Sequence, residues 1–177
     1  MIGGRIRGVS GDSRGAALVE FALVLPFLVL LFVGTYQFND AISVNRKVTR
    51  ATRTVADLTS QFTSVNTADL ATILNATTQI LAPYSTAGAR MTVSQIKIDA
   101  NGVATVDWSA GKNTSGLVKG TAFTLPVRIR QPNTWLIVAS TDYAYVPAIA
   151  PQMIGSIPLS ERIIMSPRAS ASVEKRP

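Results

Sequence analysis

A chain of 177 residues has room for one modest domain beyond any anchor, hardly two. A net charge of +7 and a pI near 10.3 raise the question of nucleic acid, yet only 15% of residues are charged and the mean hydropathy is positive. Cysteine and histidine are both absent, which excludes disulfides, thiolate metal sites, a Cys nucleophile and the commonest general base.

Residues 1–15 read MIGGRIRGVSGDSRG, a short leader in which Arg5, Arg7 and Arg14 outweigh Asp12. The apolar excess follows at once, in AALVEFALVLPFLVLLFVGTYQF, where Glu20 and Tyr36 are the only ionisable side chains. About 20 helical residues at ~1.5 Å each cross the ~30 Å hydrocarbon layer, so Ala16–Phe38 has the length of a transmembrane helix. Pro26 is expected to kink that helix rather than end it, since lipid leaves no partner for open backbone. Tyr36 suits the far interface. A cleaved secretory signal would have a shorter apolar core and a small-x-small site, which VGTYQFND does not offer; a buried core helix is rarely so long. The leader arginines favour a cytoplasmic N-terminus, although Arg46, Lys47, Arg50 and Arg53 lie on the other side; charges ahead of a long translocated domain count for less.

Glu20 is the residue a plain anchor would lack, because a charge deep in a membrane helix costs ~2.5–3.5 kcal/mol. One reading is an interfacial carboxylate at a helix N-terminus, where the macrodipole favours it. The other comes from its surroundings. Ser13-Arg14-Gly15-Ala16-Ala17-Leu18-Val19-Glu20-Phe21 resembles the cleavage signal of type IV prepilins, with Glu-Phe typical of the Tad/Flp branch. The hydrophobic stretch Trp135–Pro147, closing in Tyr-x-Tyr-x-Pro, and Ile163–Arg168 are similar to the two late strands of TadE-like minor pilins, with Ser166 where an arginine is usual. The similarity covers about residues 13–60 and 133–168.

What the resemblance implies is an expectation about processing and assembly. A prepilin peptidase would recognise Arg14, Gly15, Glu20 and Phe21 and cut between Gly15 and Ala16. The new ammonium of Ala16 would then meet the Glu20 carboxylate of a neighbouring subunit, a subunit contact in which each charge relieves the other's desolvation. Other pilin or pseudopilin subunits, Tad inner-membrane assembly proteins and the lipid bilayer are the implied partners. The expected place is the cytoplasmic (inner) membrane, N-terminus inside and head outside, with entry into a surface pilus open. The alternative is a membrane-tethered binding or scaffold domain that never polymerises.

Beyond the span, Val44, Val48, Ala51, Val55, Leu58 and Phe62 recur at steps of four and three and fall within about 80° of one another at ~100° per residue. Arg46, Arg50 and Arg53 fall opposite. The stripe predicts that one long helix continues and packs on a head domain. The basic face reads as solvated or headgroup-facing, or as a contact for an acidic neighbour; without interleaved aromatics it does not read as a nucleic-acid surface. Asn66 and Thr67 offer an N-cap for a second helix through residues 68–82, which Pro83 stops. After Gly88 the pattern switches to period two, and Asn101-Gly102 marks a hairpin. Strands are predicted at Arg90–Asp99, Val103–Trp108, Thr134–Val146 and Leu159–Ser166, with GKNTSG as a polar loop.

The predicted fold class is therefore α+β: a long N-terminal helix (transmembrane, then amphipathic), a second short helix and a small, mostly antiparallel sheet. The expected organisation is a leader at 1–15, the span at 16–38, an amphipathic extension at 39–64, the head at 65–168 and a disordered tail at 169–177. Asp99 and Asp107 flank the hairpin as solvated turn carboxylates or as a Ca²⁺ site. Tyr143 and Tyr145 share a strand face, for packing or for recognition. No phosphate loop, zinc ligand set or Ser-Lys motif is present, so no catalytic residue, metal or cofactor is assigned and no enzyme is expected.

Overall fold

The computed structural model describes residues 13–149 and 151–176; for Ser13, Arg14, Met153 and Ile154 it describes the backbone alone. Residues 1–12 of the predicted leader lie outside the described residues. The chain divides into two compact units, one reaching to Asp40 and the other spanning Ala41 onward.

Helix α1 runs over Ser13–Ser60, so it belongs to both units. Its passage through Pro26 agrees with the expectation that proline would not end it. In the first unit the helix leaves its apolar side chains bare: Leu18, Phe27, Leu31 and Phe32 are each about 70% exposed. Among the described residues this is the one helix long and apolar enough to cross a membrane.

The second unit is the head. Its elements are the rest of α1, β1 (Ser64–Val65), α2 (Thr67–Thr78, continued by a 3-10 turn at Gln79–Leu81), β2 (Arg90–Ile98), β3 (Ala104–Lys112), β4 (Thr134–Tyr145), α3 (Pro151–Ile154), β5 (Ile157–Met165) and β6 (Glu174–Lys175). Strands β3-β2-β4-β5 form an antiparallel sheet in that order, giving the expected α+β class. Helix α2 starts in a capping box: Asn66 accepts from the Asp69 N–H, and the Asp69 carboxylate accepts from the Asn66 N–H. Asp99 stabilises the β2–β3 hairpin in the same manner, its carboxylate accepting from the Asn101 and Val103 N–H groups at 2.8 Å.

One sheet face packs on the helices. Val44, Val48, Ala51 and Val55 of α1 are essentially solvent-free and join Leu70 and Leu74 of α2 and Met91, Val93, Ile137, Ala139, Tyr143 and Tyr145 of the sheet. Each such aliphatic side chain contributes ~1.5–3 kcal/mol by leaving water. The predicted stripe is a core, with two amendments. Leu58 is half-buried, and Phe62 lies past the helix end and is exposed. The buried face is also wider than the stripe, because Thr52, Ala56, Thr59 and Ser60 are covered too. Thr52 can be buried because its hydroxyl bonds both the Val48 carbonyl and the Thr141 hydroxyl. Burial also pushes the Tyr143 phenol above its ordinary value.

The other sheet face carries a second cluster, Ile96, Ile98, Ala104, Val106, Leu136 and Val138, roofed by Leu125, Phe123 and Ile129 from the long 113–133 connection. Strand β2 is thus buried on both sides. A bulge makes this possible. Pairing shifts between Gln95↔Trp108 and Ile96↔Val106, leaving Asp107 as the extra residue of β3. Val106 and Trp108, two apart, therefore serve opposite cores.

The expected disordered tail is corrected. Val173 is fully buried, and β6 pairs in parallel with β1. The physical reason is a pair of side chains that grip the Val173 peptide groups. Its N–H donates to Gln95 Oε1 at 2.6 Å, and its C=O accepts from Trp108 Nε1 at 2.7 Å. Gln95 is itself buried and donates through Nε2 to the bulged Asp107 at 2.7 Å, while Lys119 stands 3.6 Å from the same carboxylate. The final stretch closes the head.

Candidate functional site

The candidate site is the first two turns of α1. Gly15 is already inside the helix, and a Cβ added there would meet nothing within 4 Å. Among the described residues nothing packed at this point asks for glycine; its local effect is to weaken the helix by about 1 kcal/mol relative to alanine. Ala16, Glu20 and Phe21 follow on the same helix, all exposed. Ala16 and Glu20 are four residues apart, one above the other on one face and separated by ~6 Å along the axis. Phe21 lies one position further round, on the apolar surface. Arg14 is placed by its backbone only.

The other residues singled out by sequence take structural roles. Asp99 is engaged within its hairpin and Asp107 with Gln95 and Lys119, so the two carboxylates do not converge on one site. Among the described residues no group of three or more Asp or Glu side chains could hold a metal ion. Tyr143 and Tyr145 are core residues, and Tyr145 meets the Tyr84 ring edge-on with centroids 6.2 Å apart. Arg46, Arg50 and Arg53 form an exposed row on α1. The Gln95–Trp108 grip on Val173 was not foreseen; the hint in the sequence was a glutamine following Met91 and Val93 at period two, on the face that they bury.

Comparison with known families bears on the first helix. Residues 15–57 match the family model of TadE-like proteins. The TadE-like match begins at Gly15 and takes in Ala16, Glu20, Phe21, the bare apolar run and the buried stripe through Val55. The TadE-like similarity suggested by Trp135–Pro147 and Ile163–Arg168 lies outside it; those residues include most of β4 and the end of β5, neighbours in the sheet. No curated protein and no solved structure matches the chain.

Proposed function

We propose that the chain is a prepilin-like minor subunit of a Tad/Flp-type pilus or secretion assembly, cut after Gly15 by a prepilin peptidase and held in the cytoplasmic membrane by Ala16–Phe38 with its head outside. The observation that carries this reading is the family match starting at Gly15 together with Glu20 on the exposed and otherwise uncharged run from Ala16 to Phe32. A tether alone requires neither residue.

The chemistry is charge pairing in lipid. Cleavage creates an ammonium at Ala16, and Glu20 lies one turn further along the same face. A neighbouring helix displaced by about that turn sets its own ammonium level with this carboxylate. Either charge alone in hydrocarbon is costly; together they bind two subunits and fix their stagger.

Glu20→Ala tests the reading. Insertion is expected to persist, because the costliest residue of the span is gone. Cleavage is expected to persist, because Gly15 and its peptide bond are unchanged. Lateral association is expected to fail, since breaking a buried pair costs ~3–5 kcal/mol, a factor of hundreds or more in an association constant. The variant is then cleaved and membrane-resident but missing from crosslinked assemblies. A Glu20→Ala strain that crosslinks and piliates like wild type favours the non-polymerising tether.

A further inference from the structure

The contacts along α1 run in order down the sheet. Asp57 pairs with Arg168, beyond the end of β5; Thr52 bonds Thr141; Lys47 bonds the Ala82 carbonyl and lies over the Tyr84 ring, which meets Tyr145 at the end of β4. The sheet end at Tyr145↔Ile157 is therefore level with the beginning of the head's helix. At this end the chain enters the head from the apolar run, since only Asn39 and Asp40 separate Phe38 from Ala41.

The composition of that end is unusual for this chain. The β4–β5 connection carries no charged residue between Val146 and Ser160, and the α2–β2 connection belongs to an uncharged run from Leu70 to Ala89. Val146 is 59% and Ile149 40% exposed on this loop. Next to Tyr145, which precedes Val146, stands Tyr84 with Lys47 over its ring, an aromatic and a cation of the kind that membrane interfaces favour. The nearest charges on the two strands are set back. Asp142 precedes Tyr145 by three residues and Glu161 follows Ile157 by four, ~10 and ~13 Å at strand rise. A headgroup layer is only ~5–7 Å thick on each side of the hydrocarbon, so this tip can enter it without burying either carboxylate.

We propose that the β4–β5 connection is a membrane-contacting loop, with Val146 and Ile149 seated at the headgroup–acyl boundary of the bilayer that holds α1. The loop gives the head an attachment of its own to the bilayer. It rests on the proposed span, and its test separates the two.

The absence of native cysteine permits single nitroxide labels at Val146→Cys, Ile149→Cys, Val103→Cys and Leu28→Cys in the full chain, reconstituted in phosphatidylcholine–phosphatidylglycerol vesicles. Val103 is equally exposed but sits on the β2–β3 hairpin, at the opposite end of the sheet. Relaxation by dissolved oxygen, which partitions into lipid, is compared with relaxation by a water-soluble nickel chelate. The expected result is that oxygen dominates at Val146 and Ile149, reversing the order found at Val103. Nickel access at Val146 and Ile149 equal to that at Val103 overturns the loop proposal. So does protection from both reagents, which would mean coverage by protein. An aqueous label at Leu28 overturns the span itself.

Discussion

Gly15 and Gln95 act in opposite ways. The space around Gly15 is open, so Gly15→Arg leaves the chain's own packing undisturbed. Its expected effect is on the peptidase, whose catalytic groups must approach the backbone closely: the variant stays uncut, and immunoblots of membranes show only the longer form. Normal processing of Gly15→Arg would remove the role assigned to the glycine. Gln95, by contrast, matters only inside the head. Gln95→Leu leaves the Val173 N–H without its acceptor and the Asp107 carboxylate without its amide donor. The buried Val173 N–H so orphaned costs ~1–3 kcal/mol, whereas the part-exposed Asp107 carboxylate keeps Lys119. The urea midpoint of the head is expected to fall accordingly, and an unchanged midpoint would mean that the tail is not held in this way.

Among the elements, α1 was the most legible in the sequence, because one helix face must repeat every three to four residues and Val44, Val48, Ala51 and Val55 do so without a break. The strands were legible for a similar reason: alternation and the Asn101-Gly102 turn mark β2 and β3, and the apolar run from Trp135 marks β4. Elements without a period escaped. Strand β6 is two residues long, and the Val173 before it is held by Gln95 and Trp108, 78 and 65 residues away in the chain. The bulge at Asp107 was equally hidden, since it breaks the alternation used to find strands. The proposed processing site is read from a motif rather than from a contact. The packing claim for α1 has its own test. Val48→Asp puts an unpaired carboxylate at a solvent-free position, at a cost of several kcal/mol against a typical total of ~5–15. The head is expected to unfold, read as loss of the cooperative transition in a soluble fragment starting at Asp40. A fragment starting at Asn66 that proved as stable as the one from Asp40 would contradict the claim that α1 completes the core.

At the scale of the whole molecule, a folded head follows a helix whose side chains are exposed from Ala16 to Phe32 among the described residues. The head's side chains are occupied with one another: Gln95 with the tail, Asp99 with its turn, Thr52 with Thr141. That exposed run carries a single carboxylate, Glu20, and the partners proposed for it are lipid and other helices. Removing the leader with its three arginines and one aspartate would lower the formal charge from +7 to about +5. All of the proposed assembly chemistry depends on that removal, because without a free ammonium at Ala16 there is nothing for Glu20 to pair with. The most direct measurement is the N-terminus of the protein recovered from membranes of cells with an intact prepilin peptidase, read by mass spectrometry of the whole chain and its N-terminal peptide. The account predicts a chain beginning at Ala16. Recovery of a chain that retains Met1, or that begins beyond Phe38, would contradict it.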